Sequence, residues 1–167
     1  MSKRLVVRYI FLLMSVAVMV WIFVMSAQNA AISSQSSGRI VRTIAKIVVE
    51  DFEKKPIDYQ INLISTLQFF VRKSAHFAIY TSLGFSFCGY ALTFDRKNSL
   101  VKSLIAFAFA VLYAISDEFH QFFVRGRSAQ VSDILLDSFG IIFGIIIVNC
   151  LFILAKKFIL RGKRCEQ

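Results

Sequence analysis

Ser116-Asp117-Glu118-Phe119-His120-Gln121, continuing through Phe122-Phe123-Val124-Arg125-Gly126-Arg127 to Asp133 and Asp137, is the stretch on which the reading of this chain turns. Four acids, a histidine, a glutamine and two arginines stand here between two apolar runs, Leu104 to Ile115 and Ile134 to Leu154. An ionisable group near hydrocarbon costs roughly 2.5–3.5 kcal/mol on insertion scales. A chain that keeps this many there uses them. The stretch therefore separates two membrane helices and marks the candidate functional site.

Composition supports the same class. Of 167 residues, 57% are hydrophobic, eighteen are Phe and only 18% are charged, and the mean hydropathy is +0.65. A soluble domain of this size cannot hide so much apolar surface, so residues 1–167 are expected to form one integral membrane domain. A net charge of +10 would suggest nucleic acid in a soluble protein. In a membrane protein the same cations anchor the cytoplasmic side, and no nucleic-acid partner is expected. Cys88 and Cys150 lie in apolar segments and Cys165 in the basic tail, with no C-x-x-C or zinc-like spacing, so no disulfide framework is expected.

Working outward from the central stretch, the third span is expected at about residues 101–119 and the fourth at about 131–154. Asp95-Arg96-Lys97-Asn98 forms a polar turn, and the second span precedes it at about 72–94. Pro56, the sole proline, separates two amphipathic segments within about 38–70, one carrying Arg39, Arg42 and Lys46 around Ile40, Ile44 and Ile47, the other running from Ile57 to Phe70. Both are too charged or polar to span and suit the interface plane. Ala27 to Ser37, rich in Ser, Asn and Gln, is expected to be a loop. The first span, at about 9–26, is too long for the usual 7–15-residue signal core and is expected to be retained rather than cleaved. The expected architecture is thus all-α, a membrane four-helix bundle with one or two interfacial helices between spans 1 and 2.

Charge sets the orientation. The N-terminus, the 95–102 loop and the tail hold eleven of the twenty Lys/Arg against two acids, whereas the opposite side holds nine against eight. The first side is expected to be cytoplasmic. Both termini are then expected on the cytoplasmic side of the cell membrane, and the polar stretch faces outward.

Helical spacing brings the polar residues together. Arg72, His76 and Tyr80 share a face of the second span with Lys73 adjacent; Asp117, His120 and Gln121 share one on the third with Glu118 offset; Asp133 and Asp137 share one on the fourth. Asp137 lies about 9 Å inside its helix at about 1.5 Å per residue. All three sets fall at one depth, at the outer ends of their helices. Gly140 and Gly144 form a G-x-x-x-G pair that either packs helices inside the bundle or serves a homodimer contact.

Arg72-Lys73-x-x-His76-Phe77-x-x-Tyr80-x-x-Leu83-Gly84, Ser116-Asp117-Glu118-x-His120-Gln121-x-Phe123, and Gly126-Arg127 with Asp133, Asp137 and Gly140 together resemble the VanZ-like family. Ser26-Ala27-Gln28 followed by Ser33-Ser34 and Ser36-Ser37 resembles it too, so the likeness spans about residues 10 to 150. It implies a bacterial membrane protein, some relatives of which are linked to resistance to the glycopeptide teicoplanin. This chain departs from many relatives in having Val124-Arg125 where they carry a proline before the Gly-Arg.

Three uses of the cluster stay open at this point. As a binding site for an amphipathic or lipid-linked envelope component, or a lipoglycopeptide, Arg72, Lys73, Tyr80, Gln121, Arg127, Asp133 and Asp137 would grip a head group while Phe119, Phe122 and Phe123 contact acyl chains. As an enzyme on a phosphate- or ester-bearing lipid-linked substrate, His76, Asp117, Glu118 and His120 would be the acid–base candidates, with Asp117 or Asp133 orienting an imidazole. A divalent metal fits that second reading, since His76, Asp117, Glu118, His120 and Asp137 are ligand types. The third use is a buried ion network, such as Arg72 with Asp133 or Arg127 with Glu118, that only pins helices together.

Overall fold

The computed structural model describes residues 3–28, 30–95, 98–127 and 130–165, with side chains for 4–28, 38–95, 98–127 and 130–158. Among them the chain forms five α-helices, α1 Lys3–Ser26, α2 Ala30–Val48, α3 Ile57–Leu92, α4 Ser99–Phe122 and α5 Val131–Cys165, with a short 3₁₀ turn at Phe52–Lys54. Arg96 and Lys97 of the expected polar turn lie outside the described residues. So do the side chains of Ser33, Ser34, Ser36 and Ser37, and those of Arg161, Lys163, Arg164 and Cys165.

Three helices are long and apolar enough to cross a membrane, over Arg4–Ser26, Ser99–Phe122 and Val131–Phe158. Their outer faces expose Leu13, Val20, Trp21, Phe109, Leu112, Phe139, Phe143 and Leu154. Water would not tolerate so wide an apolar belt, whereas lipid is its natural solvent.

The second expected span differs from the other three. It is the C-terminal part of α3, one unbroken 36-residue helix that also contains Ile57 to Phe70, expected above as a separate short helix. Pro56 does mark a boundary, sitting at the N-cap of α3. From there to Gly84 the chain has neither glycine nor proline, so nothing halts helix propagation. The expected loop at residues 27–37 is also overturned, because α2 begins at Ala30. Serine and glutamine cost a helix only a few tenths of a kcal/mol each, and between Ala30 and Gly38 no breaker opposes them.

α3 is the central helix and packs against each of the other four, most extensively against α5. Three glycines allow that approach. A Cβ on Gly140 would stand 2.6 Å from the Phe77 carbonyl oxygen, one on Gly144 would meet the backbone of Thr81 and Phe85, and one on Gly84 would meet the backbone of Ile141. Gly140 and Gly144 thus serve packing within the chain, and α3 occupies the face that a second copy would need. Tyr80, Leu83, Ala110, Ala114, Ile141 and Ile22 form the core beside this contact. Lower down, Asn149 donates to Ser103 Oγ at 3.0 Å and to the Ile145 carbonyl at 2.9 Å.

Both ends of α1 are fastened by arginine. Arg4 pairs with Asp95 at 2.5 Å, while Arg8 donates to the Thr93 hydroxyl and carbonyl and lies 3.9 Å from the Phe94 ring centroid. At the opposite end Arg127 donates to the carbonyls of Met25 and Gln28. The N-terminus and the α3–α4 turn therefore share one end of the bundle, and the α4–α5 turn lies at the other.

Candidate functional site

The polar residues of α3, α4 and α5 do converge, at the end of the bundle that holds the α4–α5 turn. Gly126 takes φ 77° there, a left-handed conformation that favours glycine, and the next residue, Arg127, points back into the bundle. Its Nη1 donates to Gln121 Oε1 at 2.9 Å. Gln121 Nε2 donates to Asp117 Oδ2 at 2.9 Å, and Tyr80 Oη donates to the same oxygen at 3.0 Å. Asp117, Gln121 and Tyr80 are buried, so one chain of hydrogen bonds runs from α3 through α4 to the turn and on to the last carbonyls of α1. Burial, followed by the positive charge of Arg72, holds the Arg127 guanidinium below the ordinary arginine value, while Asp117 and Glu118 act the other way.

The other acids have different partners. Glu118 is buried and accepts from the Gln130 backbone N–H at 2.6 Å. Asp133 pairs with Lys73, each side chain 22% exposed. Asp137 is almost fully buried and faces His76, with 3.6 Å between its Oδ1 and the imidazole Nδ1. That is just beyond hydrogen-bond length, and neither atom has another partner. His76 stacks on Tyr80, centroids 6.4 Å apart. His76 also lines the cleft described below.

Several sequence expectations about partners change. His76 meets Asp137, not Asp117 or Asp133. His120 turns away from Asp117 and stacks on Phe23 of α1, centroids 5.1 Å apart and planes at 27°. Asp133 pairs with Lys73 instead of Arg72, and Arg127 bonds Gln121 instead of Glu118. Arg72 and Arg125 are exposed. Among the described residues no three His, Cys, Asp or Glu side chains are grouped so as to hold a metal ion. The Lys73–Asp133 link is itself testable. Lys73→Ala and Asp133→Ala should each destabilise the protein in detergent melts, and the double variant should lose less than the sum by about 0.5–3 kcal/mol. Strict additivity would mean the two side chains do not interact.

A cleft of about 750 Å³ opens beside this network, within the usual range for small-molecule sites. One wall is α1, through Met14, Val18, Trp21 and Met25, and the other is α3, through Val71, Ala75, Ala78 and Ile79. Arg72, His76, Tyr80, Asp117, Gln121 and Arg127 supply its polar end. The sequence reading missed the α1 wall. Its signal was the chain's one tryptophan, Trp21, near the end of a span, where indole rings favour the interface.

Fold and site together define an all-helical membrane protein with a buried polar network at one end of its bundle. A family model described as VanZ/LLP1 matches residues 11–154. The chain belongs to the VanZ/LLP1 family. No curated protein and no solved structure matches it.

Proposed function

We propose that this protein is a four-span cell-membrane protein whose cleft takes up an amphipathic or lipid-linked component of the cell envelope from the outer leaflet. The single observation that carries this reading is the cleft itself, largely apolar along α1 and α3 and with its charged residues gathered at the end where Arg72, His76, Asp117 and Arg127 stand. A molecule with a hydrocarbon chain and a hydrogen-bonding head matches that division. In this reading the lower part of α3 is the fourth crossing. It is less apolar than the others because its neighbours are helices, and helix–helix contacts in membranes favour small residues such as the buried Gly84, Ser86 and Gly89. The excess of Lys and Arg at the end bearing Arg4, Arg8 and Lys102 supports a cytoplasmic location for that end. A link to teicoplanin resistance, where it exists, would follow from capture or shielding of an amphipathic lipoglycopeptide or its envelope target.

Trp21 provides the test. In nanodiscs of unlabelled lipid, a small fraction of a bromine-labelled envelope lipid should quench its fluorescence along a saturating curve, and excess unlabelled lipid should reverse the effect. Quenching that only tracks the bulk bromine content would speak against a site.

A further inference from the structure

Two arginines line the polar end of the cleft, and the acids around it are engaged elsewhere. Of the acids around it, Asp117 accepts from Tyr80 and Gln121, Glu118 from a backbone N–H, Asp133 pairs with Lys73, and Asp137 faces His76. Arg127 spends its hydrogen bonds on neutral partners, the Gln121 amide and two carbonyls. Among the described residues neither Arg127 nor Arg72 lies in an ion pair. Both line the same cleft, close enough for the charge of Arg72 to act on Arg127. Asp117, on the same cleft, and Glu118 favour the charged form of Arg127 without pairing with it. Arg72 therefore keeps its whole fork and Arg127 two of its five N–H groups for a further anion, and planar forks of N–H donors match phosphate oxygens.

We infer that the occupant of the cleft is a lipid bearing an anionic phosphate, with the phosphate held between Arg72 and Arg127 and the hydrocarbon chain lying between α1 and α3. This rests on the cleft-binding reading above and names the head-group chemistry. His76 lines the same cleft and its imidazole would add a further hydrogen-bonding group. An anion there would relieve the like-charge repulsion between the guanidiniums and the burial of Arg127. Phosphate is favoured over a carboxylate because its three or more oxygens point in different directions and can reach two guanidiniums and an imidazole together, whereas the two oxygens of a carboxylate lie in one plane on one side.

The test uses the full-length protein in a non-ionic detergent, with Trp21 fluorescence as readout and farnesyl phosphate, farnesol, farnesoic acid and inorganic phosphate as probes. Farnesyl phosphate should saturate the signal and bind at least about tenfold more tightly than farnesol, the scale of one or more charge-assisted hydrogen bonds. Arg72→Gln should reduce that advantage to about none, while Arg72→Lys should fall between. Arg72 is exposed and outside any ion pair, so a normal gel-filtration profile is expected for both variants. Equal affinity for the phosphate and the alcohol, equal affinity for the carboxylate, or indifference to Arg72→Gln would each overturn the phosphate assignment while leaving the cleft reading intact. Inorganic phosphate that competes at the same concentration as farnesyl phosphate would overturn the lipid. If no farnesyl probe binds, the cleft-binding reading itself falls.

Discussion

Gly144→Leu is expected to yield no folded bundle, and Gly144→Ala a bundle weakened by about 1–3 kcal/mol, the usual scale of overpacking. At Gly144 even a methyl group would collide with the Thr81 and Phe85 backbone of α3. Backbone has nowhere to swing, so the only relief is to separate α3 from α5, the most extensive helix contact in the protein. Thermal melts in mild detergent, read by gel filtration, would check this. Gly38→Ala is the control. There the nearest atom to a new Cβ is the side-chain Nε2 of Gln68 at 3.4 Å, and alanine improves helix propensity by up to about 1 kcal/mol. A Gly144→Leu protein that melts like the parent would show that α5 does not press on α3 at this turn.

Asp117→Ala should be the most damaging change within the polar network. Asp117 Oδ2 accepts from both Tyr80 and Gln121, and its loss strands two buried donors at about 1–3 kcal/mol each in soluble proteins. Interhelical hydrogen bonds in membranes average nearer 0.6 kcal/mol, which sets the lower end of the expectation at about 1 kcal/mol for the pair. The damage should also reach binding, because Gln121 is the side chain that Arg127 Nη1 bonds. Asp117→Asn, which retains one acceptor oxygen, should recover part of the stability. Tyr80→Phe removes a single donor and should cost less than Asp117→Ala. Combined with Asp117→Ala it should cost less than the two changes added. A melting temperature unmoved by Asp117→Ala would mean that the network carries no load.

Much of this arrangement was legible from residue spacing. The i, i+4 register of Asp117 and Gln121 correctly placed them together, as did the shared depth of Tyr80, Asp117 and Asp137. The helices that face lipid were visible because lipid demands an unbroken apolar surface. What stayed hidden depended on helix rotation and neighbours. Spacing places His120 on the same face as Asp117, yet a helix face is wide, and His120 at its edge met Phe23 of α1 instead. Lys73 and Arg72 are adjacent, and only the packing of α3 on α5 decides which one reaches Asp133. The serine-rich segment after Gln28 was judged by composition, although composition without a breaker does not end a helix.

The ties at the two ends of α1 bear on the order of assembly during synthesis. The Arg8–Thr93 contact joins residues 85 apart, and the Arg127 contacts to Gln28 and Met25 join residues 99 and 102 apart. Helices of a growing chain emerge N-terminus first, so α1 leaves the ribosome long before either anchor exists. Until the turn carrying Arg127 has been made, the carbonyls of Met25 and Gln28 lack the donor they have in the folded protein. α1 is thus tied down at its Met25 end only once Arg127 has been translated, and the wall it gives the cleft is completed no earlier.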